Sequence, residues 1–345
     1  MARGSVTSDG PGESTARRAV SGLTATGCTG SEGTSPPVPP RSPTTTSPSA
    51  SGQPPDRAYR AFVVLEDADE LAVVAGPPWK IATRLAVPVG PHNLAASADG
   101  RYVAVTSPGA GTVTIVRAAD ASVVARPRVS GSPHDVAFTA DGTRLWVAAE
   151  RGRNLVALSV PDGVQAQVVP LGAAPHDLAV SPDGQELWVT FYGASSVQVR
   201  SSLDGSARAE ADLGGAPHDV AFAPDGGEVW FSNVSSPRLT VVSASARRVL
   251  ATLDAGTEPH HFAFAARHLW ASDHGGGGVV RIDAAARRVL QRVPTGPAPH
   301  HVGVAGDAVL VAVHGTGQLA VIDRSGAVQP LAVGAGPHDV VVVPG

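Results

Sequence analysis

From residue 58 onward the chain alternates short apolar runs with polar turns. The runs are four to seven residues long, rich in Val, Ala and Leu, and cut by Gly or Pro. No stretch keeps apolar residues at three-four spacing over ten or more positions, so the pattern predicts strands and not amphipathic helices. Pairs of runs flank an Asp-Gly dipeptide at Asp99-Gly100, Asp141-Gly142, Asp183-Gly184 and Asp225-Gly226. Asp-Gly between two apolar runs is a strong hairpin signal, because the left-handed backbone of the turn suits Gly. In the second unit a third strand is expected at 154–160, a turn at Pro161-Asp162-Gly163, and a fourth strand at 165–171.

The unit repeats. Pro-His opens it seven times, at His92, His134, His176, His218, His260, His300 and His338. Trp146, Trp188, Trp230 and Trp270 recur in register on the second strand. Four short strands per ~40 residues, seven times over, is the pattern of an all-β, seven-bladed β-propeller. The last Pro-His begins only one strand, 339–343, whereas 59–65, 71–75 and 81–89 supply three strands without a Pro-His. The C-terminal strand is therefore expected to pair with the N-terminal three and close the ring, which removes free sheet edges.

Units such as PHDVAFTADGTRLWVAA and PHDLAVSPDGQELWVTF resemble the YVTN-type, YncE-like propeller repeat, which is related to the haem-d1 propeller. The resemblance covers about 59–345 and implies the architecture more strongly than any activity. Trp188-Val189-Thr190-Phe191 and Trp230-Phe231-Ser232-Asn233 come nearest to the Tyr-Val-Thr-Asn strand of that family. No Trp-Asp dipeptide occurs, which disfavours a WD40 repeat.

Composition changes the picture at the N-terminus. Of residues 1–55, 36 are Ser, Thr, Pro or Gly, and only Met1, Val6, Val20, Leu23 and Val38 are larger apolar residues. So little apolar surface does not offset chain entropy, so 1–57 is expected to be a disordered tether ahead of a propeller at 58–345. The lone cysteine, Cys28, follows Arg17-Arg18, a mildly apolar stretch and Thr26-Gly27. This order resembles a bacterial lipoprotein signal, and implies lipidation at Cys28 and an extracytoplasmic, membrane-anchored protein; a solvated thiol on a cytoplasmic protein is the alternative. One cysteine excludes an intrachain disulfide. A net charge of -4 with no Lys/Arg cluster argues against duplex nucleic acid. YncE-like relatives are linked to single-stranded DNA, but aromatics for base stacking make up only 4% of this chain. The propeller is expected to act as a monomer, with an unknown small molecule or protein as partner.

Candidate chemistry gathers at one channel mouth, where the Pro-His residues enter the inner strands and the loops between second and third strands open. Loop positions aligned across blades give Glu66, Glu150, Tyr192, Asn233 and Asp273 as candidate ligand-binding residues. Blades five and six add His260, His261, His274, His300, His301 and His314, an excess that the repeat does not demand. Imidazoles beside carboxylates suit zinc or a similar divalent ion, and a His beside a Glu suits proton transfer. One His per blade is otherwise what a structural repeat element looks like, and His92, His134, His176 and His218 are read that way. His268 is expected to face solvent, and Arg247-Arg248 and Arg287-Arg288 to guard outer strand edges. Two functions follow: a non-catalytic binding propeller, which is favoured, or a metal-dependent lyase or lactone hydrolase at the mouth. The second is similar to streptogramin lyase, whose Trp-Phe-Thr-Glu pattern is Trp-Phe-Ser-Asn here at Trp230–Asn233. No Cys-x-x-Cys-His haem attachment site occurs.

Overall fold

The Asp-Gly dipeptides form their hairpins because Gly100, Gly142, Gly184 and Gly226 take φ near +70°, a conformation that a Cβ disfavours. In the computed structural model, which describes residues 58–233 and 236–345, the chain forms seven four-stranded antiparallel sheets, and these four hairpins are the inner halves of blades one to four. The expectations for 1–57 and Cys28 lie outside the described residues.

Blade two illustrates the unit: Pro133–Phe138 lines the channel, followed outward by Arg144–Ala149, Asn154–Ser159 and Gln165–Pro170. The second strand is buried almost throughout, and the fourth alternates exposed and half-buried residues as an outer edge does. Blades five and six shorten the inner hairpin to two residues, Ala266-Arg267 and Gly306-Asp307. The ring closes as expected: Pro337–Pro344 is the innermost strand of the sheet completed by Tyr59–Leu65, Glu70–Gly76 and Lys80–Ala86. The only helical pieces among the described residues are the short 3-10 turns Glu66–Ala68 and His314–Thr316. No described helix is long and apolar enough to cross a membrane.

The apolar core is seven clusters, one between each pair of neighbouring blades. Trp146 packs on Leu178 and Val189 of blade three, and Trp188 on Val220 and Phe231 of blade four. Trp230 meets Phe262 and Leu269 of blade five, and Trp270 meets Val302 and Val311 of blade six. Each recurrent Trp is thus a bridge from its own blade to the next. Burying one contributes several kcal/mol (~2–3 by area).

On the face away from the Pro-His mouth the structure corrects one expectation. Arg247 and Arg287 do not guard edges. Arg247 reaches back one blade to Glu186 and Arg287 to Glu228. Glu186 and Glu228 also accept the indole N–H of Trp188 and Trp230. These residues latch blade three to four and four to five.

Candidate functional site

The repeat builds the channel lining through a bulge. In blade two Pro133 pairs with Ala149, but pairing then resumes only at Val136 with Val147. Blades three to six shift in the same way between Pro175 and Leu178, Pro217 and Val220, Pro259 and Phe262, and Pro299 and Val302. A bulge breaks strict alternation, so the His and the residue after it both turn toward the channel.

The seven Pro-His imidazoles close a complete ring. Centroids of neighbours lie 4.8 Å apart for His92–His134, 4.2 for His134–His176, 4.4 for His176–His218 and 4.4 for His218–His260. The circuit continues with 4.5 Å for His260–His300, 3.8 for His300–His338 and 4.0 for His338–His92. Such a heptagon leaves about 5 Å from axis to ring centre, too far for one ion to bond all seven at ~2.1 Å. One residue further along each strand lies a second tier: Asn93, Asp135, Asp177, Asp219, His261, His301 and Asp339.

The second tier stitches blades together, with one exception. Asp135 accepts the backbone N–H of Leu178 at 2.8 Å and Asp219 that of Phe262 at 3.0 Å, each in the following blade. Asp339 accepts from Leu94 at 2.5 Å, a bond between residues 245 apart that helps to seal the ring. By the same rule Asp177 should accept from Val220, but that N–H is taken by Asp219 at 2.8 Å. Asp177 turns to the imidazoles instead. Its Oδ1 lies 3.1 Å from His176 Nδ1 and 3.7 Å from His134 Nδ1, and its Oδ2 lies 3.7 Å from His218 Nδ1. Neither oxygen, although buried, accepts a well-aligned hydrogen bond.

Charge in the tier is uneven for physical reasons. Burial, reinforced by neighbouring imidazoles, pushes His134 down to about 3, His218 to about 4 and His260 to about 2. Burial likewise drives His261, His300 and His338 well below the usual range. At His176 burial disfavours the cation but Asp177 outweighs it and raises the imidazole, and Asp339 does the same for His301. Burial and the Asp177 charge push Asp135 well up, and Asp219 up to about 7. Asp177 is the exception again: its imidazole neighbours overcome burial and hold it below the carboxylate range. The channel wall is thus a buried ring of mostly neutral imidazoles in which Asp177 is the one carboxylate with neither oxygen accepting a well-aligned hydrogen bond. His176, His218, His260, His261 and His300 carry buried Nδ1 atoms without a hydrogen-bond partner.

The sequence-predicted residues sort into three places. His260, His261, His300 and His301 lie in the channel, with the rings of His261 and His301 stacked at 3.4 Å. Glu66, Glu150, Tyr192, His274 and His314 form the rim. Glu66 Oε1 is 3.3 Å from His92 Nδ1 and its Oε2 is 3.9 Å from His314 Nε2; hydrogen bonding to His92 lowers the Glu66 carboxyl. Tyr192 is 70% exposed and stacks over His176 at 5.9 Å. The His274 ring stands 5.4 Å from that of His260 and His314 6.5 Å from His338, so both sit at the edge of the inner ring. Asn233 and Asp273 do not join the others. The Asn233 amide donates to Arg238 O and Thr240 Oγ1, and Asp273 Oδ1 accepts from Gly276 in the loop that follows it and from Thr257 and Glu258 in the loop that enters the blade.

Ligating atoms fall within 4.8 Å of one another in His134–His176–Asp177, Asp177–Asp219–His261, His218–His260–His261, His261–His300–His301 and Glu66–His92–His338. His134, His176 and His218, expected to be structural, thus join these clusters with Asp177 and Asp219, which occupy the commonest residue type of their repeat position. The available signal was the residue after Pro-His, which runs Asn, Asp, Asp, Asp, His, His, Asp around the ring.

Comparison with known proteins agrees with this architecture. A structure from Desulfotomaculum acetoxidans, described as functionally unknown, is 15% identical, with 83% of this chain and 99% of the other covered at a TM-score of 0.73. The Pseudomonas aeruginosa periplasmic gluconolactonase PpgL is 22% identical over 83% of this chain and 99% of its own, at a TM-score of 0.71. Virginiamycin B lyase from Staphylococcus aureus is 16% identical over 72% and 87%, at a TM-score of 0.63. At these identities the likeness is one of fold. No curated protein sequence matches the chain. The model of the YNCE-like beta-propeller family matches residues 17–344, and with that match spanning nearly the whole sequence the chain belongs to this family.

Proposed function

We propose that the protein is a non-catalytic binding propeller whose channel holds a divalent cation of the zinc class. Asp177 would be the anchoring ligand, with His134, His176 and His218 around one side and Asp219 and His261 on the other. The carrying observation is that Asp177 alone among the tier's carboxylates leaves the backbone stitching and faces three imidazoles with both oxygens underbonded. Burying such a group is costly unless a partner satisfies it. A borderline cation accepts nitrogen and carboxylate donors together at ~2.0–2.2 Å; His134, His218 and His261 are held in the neutral form that binds it, and His176, which Asp177 favours as a cation, must release its proton on binding.

Equilibrium dialysis of the chelator-stripped full chain against zinc tests this reading. About one ion per chain is expected for the parent and for Asp135→Asn, and none for Asp177→Asn. Equal zinc in the two variants, or none in the parent, would overturn it. His274→Ala and His314→Ala are expected to keep the metal, because those rings stand outside the close clusters.

A second reading, a metal-dependent lyase or lactone hydrolase at the mouth, is favoured by one observation: Glu66 is shared between His92 and His314 at the exposed rim. Turnover of a lactone by the zinc-loaded chain, abolished by Glu66→Gln, would establish it in place of the first. In either case we place the protein outside the cytoplasm, anchored by lipid at Cys28.

A further inference from the structure

The latches on the face away from the mouth occupy two of the seven interfaces, those between blades three and four and between blades four and five. Blades three and four each begin their second strand with a glutamate, Glu186 and Glu228, which accepts the Trp indole N–H and the Arg of the next blade. Blade five has His268 at this position. The arginines come from a turn position with left-handed backbone, φ 51° at Arg247 and 49° at Arg287; blade six has Gly326 there, φ 88°. Both halves of the latch are therefore missing between blades five and six.

What remains is a cleft of about 430 Å³ between these blades, lined by Trp270, His268, Arg281 and Arg324, with Phe264 and Val304 adding apolar surface. Arg281 sits on the third strand opposite Trp270, where blades three and four carry Val199 and Val241. Its guanidinium lies 5.7 Å from the Trp270 ring and 3.2 Å from His268 Nδ1. Its Nε is buried without an acceptor, and among the described residues no carboxylate forms an ion pair with it. Of the two acids on the cleft, Asp323 accepts from Ser325 and Ala327 of its own turn, and Asp307 is exposed.

We propose that this cleft binds a small carboxylate with an apolar body. The carboxylate takes the place that Glu186 and Glu228 occupy in the preceding blades and pairs with Arg281, while the body lies against Trp270 and Phe264. The volume is within the ~300–1,000 Å³ of ordinary small-molecule sites, and a bidentate guanidinium–carboxylate pair fixes the orientation. Burial holds the His268 imidazole below its usual range, with Arg281 adding to the effect, so an arriving anion meets a neutral ring beside Arg281, with the exposed Arg324 at the edge of the cleft. The site is independent of the metal in the channel.

Isothermal titration calorimetry of the full chain with phenylacetate tests the proposal, with phenylacetamide as the uncharged probe. Saturable binding of phenylacetate, and binding of the amide about tenfold weaker or worse, is expected from loss of a charge-assisted pair. His268→Glu restores the internal carboxylate, so it should raise the melting temperature and abolish phenylacetate binding; the raised melting point also shows that the variant folds. No phenylacetate binding to the parent, equal binding of acid and amide, or undiminished binding to the His268→Glu chain would each overturn the proposal.

Discussion

The interfaces between blades and the wall of the channel come from the same repeat but follow different rules. Between blades two and six the repeat is obeyed closely: Trp146, Trp188, Trp230 and Trp270 each cross to the next blade and pack on Val, Leu or Phe. Along the channel the backbone bulge is kept, yet the residue after each Pro-His varies among Asn, Asp and His. The difference teaches where selection for packing ends. An interface needs matched volume, so its residues are interchangeable between blades. A tier of seven polar groups facing one another needs a balance of charge, and identical blades would place seven like charges in one dry ring.

Removing the closing strand is the most severe way to break the packed half. A chain lacking 337–345 loses every partner of Tyr59–Leu65 on its inner side and the Asp339–Leu94 bond. Loss of cooperative unfolding and aggregation are expected, and a truncated chain that melts like the parent would contradict ring closure. Trp188→Ala is a milder break. Trp188 is fully buried between blades three and four, so a loss of about 3–5 kcal/mol is expected from urea unfolding.

The polar half is tested by acid. His134, His218, His260, His261, His300 and His338 all titrate below their unfolded value of 6.5 in the folded chain. Below pH 6.5 the unfolded chain therefore takes up protons that the folded chain refuses, and stability is lost as pH falls toward their folded values. Asp135 and Asp219 are raised and act in the opposite direction. His176 and His301, also raised, add stability that is present below 6.5 and lost above it. Six depressed imidazoles against four raised groups leave a net loss, so the metal-free melting temperature should fall between pH 7 and pH 4.5. A melting temperature that rises over that range would contradict the charge pattern of the tier. The smallest effect is expected at Cys28, where the proposed lipidation predicts that Cys28→Ala moves the protein from the membrane to the soluble fraction of its native host with no change in melting temperature.

Much of this was legible in the sequence because it is carried by local patterns. The Pro-His spacing counted the blades, the Asp-Gly dipeptides placed the hairpins, and the strand expected at 59–65 is Tyr59–Leu65. The unread part depends on competition between groups far apart in the chain. Asp135, Asp177 and Asp219 sit in the same Pro-His-Asp tripeptide, and only the capture of the Val220 N–H by Asp219 separates the role of Asp177 from theirs. Asn233 and Asp273 align with the rim residues, but groups elsewhere in their own blades offer closer partners than the channel does. Arg247 and Arg287 looked like edge guards because their acceptors, Glu186 and Glu228, lie about sixty residues away.

Anomalous diffraction at the zinc edge, on crystals of the full chain grown with zinc, tests the central claim most directly. The account predicts one strong peak inside the imidazole ring, within bonding distance of Asp177 and of at least two of its imidazole neighbours. An empty channel, or zinc bound only at the outer surface, would contradict it.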